Sequence, residues 1–442
     1  MYIKGRNWNM RRKTRRSNPL RILILVVIIG LLVYIDRKVE PFSPYIFLPS
    51  PTPTISAETF IAEAQGYVAE GKYTQALQAY GKAIKADPQN PSNYISSAMI
   101  NLYRGDYEAS LEDAGNALLL NPENSQAYAI MGVSHGLLGD YLDSESNLSK
   151  AIEYDSSNYF AYAYDAIVKA KKILEGAEAQ GDLDLAIEAS RKAEAISPSA
   201  LETHWARGAV LEITANYEDA ITEYEAAITV NSNVAELHIS LGRTYASMLD
   251  YTMAVEEYTK ANALNPADPI PDVLIGRTYS RTGEYSKAIQ YFQQAISDDS
   301  QNPYYWGYLG QAYYKNYQFG DAILSLQLAI QGGVTSNGSI VEGLPLSYDV
   351  VDFYYVYAMS LMELGYCDDA VPVAQAIIQS MQDDETAVYN AEYTLNRCYE
   401  KMNNQQLLKL PTATMIPTWT PQPTLTPTPL PYPITTPTVS GD

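Results

Sequence analysis

The sequence predicts an all-α chain, a solenoid of antiparallel helix pairs preceded by one transmembrane helix. Three observations predict it. The phrase "GEYSKAIQYFQQAI", residues 283–296, returns along the chain at a shift of 34 residues. Each return follows a second helical stretch with a small residue at a fixed place. The first forty residues join a basic cluster to an uncharged apolar run. At 442 residues the chain is long enough for several domains or one long array. Its net charge of −21 argues against nucleic acid as a partner.

The N-terminal element comes first in order. Residues 1–21 hold eight Lys or Arg and no acid, so the remainder carries about −29, eight below the −21 of the whole. "ILILVVIIGLLVYI", 22–35, follows without a charge. At about 1.5 Å per residue that run spans about 21 Å, and Pro19, Leu20 and a snorkelling Arg21 extend it toward a hydrocarbon core of about 30 Å. The reading is a basic cytoplasmic segment over 1–19 and a membrane-spanning helix over 20–36. A cleaved signal peptide and a buried core helix are the alternatives. "YIDRKVEP" offers no small-residue cleavage site, and a core helix does not explain the flanking charge. The positive-inside rule then places the N-terminus in the cytoplasm and the rest outside the cell membrane, single-pass.

Two Pro-rich stretches bracket the middle of the chain. "PFSPYIFLPSPTPTIS" lies within a linker assigned to 37–56. A Pro/Thr-rich tail, read as disordered, covers 403–442 and carries one charge, Asp442, beyond residue 410. Prolines without backbone donors favour an extended, solvated chain. The tail reads as a glycosylated spacer, a wall-spanning stalk or an inert tether.

Between them, 57–402, lies the array: about nine units and a terminal helix. Copies of the phrase start at 71, 105, 139, 181, 215, 249, 283 and 317, and a degraded ninth is "GYCDDAVPVAQAII". Six of the seven steps between the first eight copies are 34 residues, and the step from Ser144 to Ala186 is 42. Gly or Asn breaks a helix and an aromatic starts the next. Ala and a large apolar residue then recur on one face. Upstream, Ala64, Gly132, Gly208, Gly242, Gly276 and Gly310 mark close helix crossings. A mid-helix Gly costs about 1 kcal/mol against Ala, so its repetition implies packing rather than a catalytic loop. Insertions fall near 169–180 and at 331–350, the latter a disordered loop, a small hairpin or a partner-binding flap.

This pattern closely resembles the tetratricopeptide repeat family. Residues 303–330 carry its signature in Trp306, Leu309, Gly310, Tyr313, Ala322, Leu326 and Ala329. Residues 235–268 carry it in His238, Leu241, Gly242, Tyr245, Ala254, Tyr258, Ala261 and Pro266. The resemblance covers about 57–400 and implies a right-handed superhelix. Its concave face would be lined by the first helix of each unit. Mapped by that geometry, the groove holds Trp205, Glu212, Arg243, Arg277 and Arg281, then Tyr304, Gln311, Tyr314 and Lys315, and earlier Ile95, Met99, Leu102 and Tyr103. The binding residues expected are Trp205, Arg243, Arg277, Arg281, Gln311, Tyr314 and Lys315. The Lys/Asn clamp by which some members hold a terminal carboxylate is missing from every unit.

Cys367 and Cys398 sit at the start of one helix and near the end of an antiparallel neighbour, so a disulfide stapling the last unit is expected. Two buried thiols are the alternative.

No catalytic motif appears: GxSxG, HExxH, GxxxxGK[ST] and GxGxxG are all missing, and His135, His204 and His238 have no metal-ligand spacing. Carboxylate pairs such as Asp368 with Asp369 fall on helix surfaces. The expectation is a non-enzyme without cofactor or metal. It would be a membrane-anchored, extracytoplasmic scaffold binding an extended protein or peptide of acidic or aromatic character. A glycan- or cell-wall-binding module and a non-catalytic subunit of an assembly are the alternatives.

Overall fold

Each 34-residue unit folds as two helices because its apolar residues fall on one stripe. In the second helix of one unit the buried positions are Ala254, Glu257, Tyr258 and Ala261, a spacing of three, one and three. Asn or Asp opens the first helix of several units and Pro occupies its first turn. Asn90, Asp268 and Asn302 accept hydrogen bonds from the backbone N–H of Ser92, Ile270 and Tyr304. A residue with positive φ turns the chain between the two helices. It is glycine in most units, as at Gly105 and Gly283, but Ala215, Leu249 and Tyr317 take the same place with φ of 59°, 65° and 61°.

The computed structural model describes residues 18–38 and 56–402. The basic segment before residue 18, the linker over 39–55 and the tail over 403–442 lie outside the described residues. The chain divides into two units, Met1–Ser56 and Ala57–Asp442.

The first unit holds α1 (Pro19–Lys38). It corrects the expectation of a membrane anchor: among the described residues no helix is long and apolar enough to cross a membrane. The physical reason is length. The uncharged run is closed by Arg21 and Asp36 and spans only about 21 Å of the ~30 Å required. The single-pass topology, the cytoplasmic N-terminus and the extracytoplasmic placement of the repeats rested on that helix and fall with it.

The second unit is a solenoid of paired antiparallel helices. The pairs are α2 (Ala57–Ala69) with α3 (Tyr73–Ala86), α4 (Pro91–Arg104) with α5 (Tyr107–Leu120), and α6 (Ser125–Leu138) with α7 (Tyr141–Tyr154). Next come α8 (Tyr159–Leu174) with α9 (Asp182–Ile196), α10 (Leu201–Ile213) with α11 (Tyr217–Val230), and α12 (Ala235–Ser247) with α13 (Tyr251–Leu264). The last are α14 (Pro269–Thr282) with α15 (Tyr285–Asp298), α16 (Pro303–Lys315) with α17 (Phe319–Gln331), and α18 (Val351–Leu364) with α19 (Cys367–Ser380). The terminal α20 (Glu385–Met402) packs on both α18 and α19.

The small residues sit where one helix of a pair meets its mate. A Cβ added to Gly242 would lie 2.6 Å from the Tyr258 ring, and one on Gly276 would lie 2.7 Å from Phe292. Sixteen residues separate glycine and ring in both units, so the crossing is repeated by the period itself.

The 42-residue step lengthens α8 and widens the loop before α9. There Lys172 bridges Glu145 and the buried Asp182 at 3.0 and 3.1 Å. The 331–350 insertion is a small hairpin, with β1 (Gly333–Val334) antiparallel to β2 (Ile340–Val341). It is tied down by Leu344, whose N–H donates to Ala329 and whose carbonyl accepts from Tyr354.

Two further ties hold the ends of the array. Tyr73 shares hydrogen bonds with Asn231, Tyr103 donates to Glu202, and Tyr107 donates to Glu236, so the first two units touch residues 99 to 158 positions further along the chain. Gly71 and Gly105 face Asn233 and Asn265 across this seam. At the other end Cys367 and Cys398 form a disulfide with a Cα–Cα distance of 5.4 Å. It fixes the last turns of α20 beside the turn that joins α18 to α19.

Candidate functional site

Five of the seven residues expected in a groove line one cavity of about 420 Å³: Arg277, Arg281, Gln311, Tyr314 and Lys315. They converge because α14 and α16 are successive first helices and present the same face. Arg277 and Arg281 are four residues apart on α14, and Gln311 and Lys315 are four apart on α16. The far wall comes from α18 and α20, through Asp352, Tyr355, Met359 and Asn390.

Arg277, Arg281 and Lys315 are exposed, and among the described residues no ion pair engages them. Arg277 lies over the Tyr308 ring, 5.4 Å from its centroid. Tyr308 in turn stacks on Phe292 at 5.9 Å and meets the Phe353 edge at 5.6 Å. The ring is therefore held rigidly as a wall with a cation on its face. Asp352 is the cavity's one carboxylate, and Gln311 donates to it at 2.6 Å. Burial pushes the Asp352 carboxyl up, against the Gln311 bond and the Arg277 charge. Burial also pushes the Tyr314 hydroxyl up to about 12, helped by Glu363, Tyr393 and Tyr317. The tyrosine hydroxyls thus remain donors at neutral pH.

The other two expected residues lie elsewhere. Arg243 donates to both oxygens of Glu212 from one guanidinium edge, Nε at 2.6 Å and Nη2 at 3.0 Å, and Glu212 also accepts from Tyr224 at 2.8 Å. Burial opposes the Arg243 charge, but the Glu212 carboxylate more than offsets it and holds the guanidinium pKa above its ordinary value. Arg243 neutralises a buried acid instead of offering a free cation. Trp205 is only 2% exposed and belongs to the central hydrophobic core with Tyr164 and Tyr224, out of reach of a ligand. Ile95 and Leu102 are buried as well, and Tyr103 is spent on the seam with Glu202.

Sequence reasoning missed Tyr308, Tyr355 and Asn390. Tyr308 lies on α16 between the expected groove positions Tyr304 and Gln311, one turn from each. The other two lie beyond the 331–350 hairpin, which breaks the 34-residue register.

Among the described residues, no cluster of His, Cys, Asp and Glu is placed to hold a metal ion. Family models of the TPR repeat match residues 64–96 and 276–316, and a tetratricopeptide repeat model matches 235–268. The second of these segments holds Arg277, Arg281, Gln311 and Lys315. No curated protein matches the chain. A solved structure described as the functional characterization of Pseudomonas aeruginosa pilF is similar at 23% identity, over 46% of this chain and 90% of that one, with a TM-score of 0.36. A tetratricopeptide repeat protein from Parabacteroides merdae is similar at 15% identity, over 58% of this chain and 98% of that one, with a TM-score of 0.37. Repeats of this type generically bind protein or peptide partners in a concave groove.

Proposed function

We propose that the chain is a protein-interaction scaffold whose cavity between α14 and α20 receives an extended partner segment with acidic and aromatic side chains. The observation that carries this reading is the convergence of three unpaired cations on a tyrosine-walled cavity, in a chain whose net charge is −21. Carboxylates of a partner would pair with Arg277, Arg281 and Lys315, and its rings would lie against Tyr308, Tyr314 and Tyr355. The field of the remaining chain repels acids, so only this patch would guide one in.

The test is a crosslinking pull-down with the full chain as bait, followed by affinity measurement on the captured partner. Three exposed pairs at about 1 kcal/mol each set the scale. The combined Arg277→Glu, Arg281→Glu and Lys315→Glu variant should bind about a hundredfold more weakly, and added salt should weaken the wild type. Equal binding by both chains would move the interface elsewhere. Capture of glycan fragments in place of protein would favour a carbohydrate ligand.

A further inference from the structure

The seam that closes the front of the array encloses a second cavity, of about 580 Å³, which shares no residue with the one between α14 and α20. Val68 of α2 and Tyr103 of α4 line it from one side of the seam. Tyr159 and Phe160 of α8, Leu201 and Glu202 of α10 and Ile228 of α11 line it from the other. Tyr159 and Phe160 stack with their ring centroids 4.2 Å apart, and Phe160 meets Tyr164 of the core at 6.1 Å, so the aromatic wall is held in place. Glu202 is 3% exposed and is the cavity's one carboxylate.

Three buried acids elsewhere in the array are neutralised by a cation: Asp182 by Lys172 at 3.1 Å, Glu212 by Arg243 at 2.6 Å and Glu257 by Lys260 at 2.8 Å. Glu202 is buried as deeply, yet among the described residues no Lys, Arg or His pairs with it. Tyr103 donates to its Oε1 and its own backbone N–H bonds it too, and burial pushes the carboxyl up against both. Tyr159 lies close enough to sense it: burial first, and the Glu202 charge second, push that hydroxyl up to about 12. A carboxylate taken out of water without a counter-charge is costly, and here it opens on a space that a counter-charge could fill.

We infer that this cavity binds a small organic cation, a primary ammonium on an apolar or aromatic body, with the ammonium on Glu202 and the body against Tyr159, Phe160 and Ile228. The ammonium would supply the missing charge through a charge-assisted hydrogen bond to the carboxylate. Tyrosine and phenylalanine faces attract the same cation, and the rings and Ile228 cover its apolar body. The volume falls in the range of small-molecule sites, about 300–1,000 Å³. The net charge of −21 draws cations toward the chain. Because the walls come from both sides of the seam, an occupant would also hold α2 and α4 against α10 and α11.

The experiment titrates phenethylamine and its neutral counterpart 2-phenylethanol into the full chain at neutral pH, read by isothermal calorimetry. The amine should bind saturably and the alcohol at least about tenfold more weakly, since it cannot supply the charge. Glu202→Gln keeps an acceptor for Tyr103 and should weaken the amine at least about tenfold while circular dichroism stays unchanged. The amine should also raise the urea midpoint of the wild type and not that of Glu202→Gln. The comparison of amine with alcohol needs no variant, so it decides the matter even if Glu202→Gln fails to fold. Lack of saturation up to about 10 mM amine, equal binding of amine and alcohol, or equal binding of the amine by a folded Glu202→Gln overturns the inference. Nα-acetyl-lysine methylamide, run in parallel, should bind more weakly than phenethylamine. Binding as tight or tighter would overturn the small-molecule reading and give the site to a lysine side chain of a partner protein.

Discussion

The same substitution should have opposite signs at two glycines of this array. Gly242 lies in α12 and Gly81 in α3, both inside helices, where alanine is favoured by about 1 kcal/mol. A Cβ at Gly81 meets nothing within 4 Å, so Gly81→Ala should stabilise the chain by up to about 1 kcal/mol. At Gly242 the new Cβ lies 2.6 and 2.7 Å from two ring carbons of Tyr258 and 3.1 Å from the Ala254 carbonyl oxygen. Tyr258 is 2% exposed, so its ring has no free volume to retreat into. Overpacking of this kind costs about 1–3 kcal/mol, which set against the helix gain of about 1 kcal/mol leaves Gly242→Ala destabilised by up to about 2 kcal/mol. Urea unfolding followed by circular dichroism measures both, with the slope as a check that the same unfolding is compared. Gly242→Ala as stable as the wild type, or both variants moving the same way, would refute the claim that the period-16 contact of small residue and ring sets the helix crossing.

Three other outcomes are expected. Leu249→Gly should raise stability by about 0.5–1 kcal/mol in urea melts, because relief of about 1–2 kcal/mol of left-handed strain exceeds the added chain entropy, and the 70% exposed side chain gives up little burial. Asp272 is pushed up to about 6 by burial first, then by Asp298 and Asp268. Its folded pKa exceeds the unfolded value, so its contribution is most favourable below about 4 and declines as pH rises through 6. Asp272→Asn should accordingly stabilise at pH 8 by at most about 3 kcal/mol and have little effect near pH 4, as read by urea midpoints across pH. Arg243→Ala strands the buried Glu212 and should cost about 3 kcal/mol of stability, while affinity for a fluorescein-labelled Glu/Tyr peptide stays unchanged by anisotropy.

The helix pairs were legible because a solenoid writes its packing into one period. The glycine at 242 and the ring at 258 recur at 276 and 292, and each repetition repeats the same crossing. The cavity was legible only where the period ran unbroken. Arg277, Arg281, Gln311 and Lys315 follow from it, whereas Tyr355 and Asn390 lie past a hairpin that resets the count. Trp205 and Arg243 show a different limit. Their positions are groove positions by register, but Trp205 is buried in a core shared with Tyr164 of α8, and Glu212 captures Arg243. Spacing put Glu212 and Arg243 on the same face but did not show that the two pair. The N-terminal run misled for want of length: its composition is that of a membrane segment, but its uncharged stretch stops short.

The seam between Tyr73 and Asn231 has a mechanical consequence. An ideal array of repeats extends like an open spring, each unit yielding independently of distant ones. Here the front turns touch, so tension along the axis must first break the bonds of Tyr73, Tyr103 and Tyr107 before those coils can separate. From Tyr285 onward the hydrogen bonds seen, such as Gln293 with Tyr313 and Gln311 with Asp352, join adjacent units and leave the pitch free to change. The chain is a spring with a locked front and a compliant rear. The cation-lined cavity lies between successive units of this rear part, from α14 to α20, so a change in their pitch would change the distance between its walls.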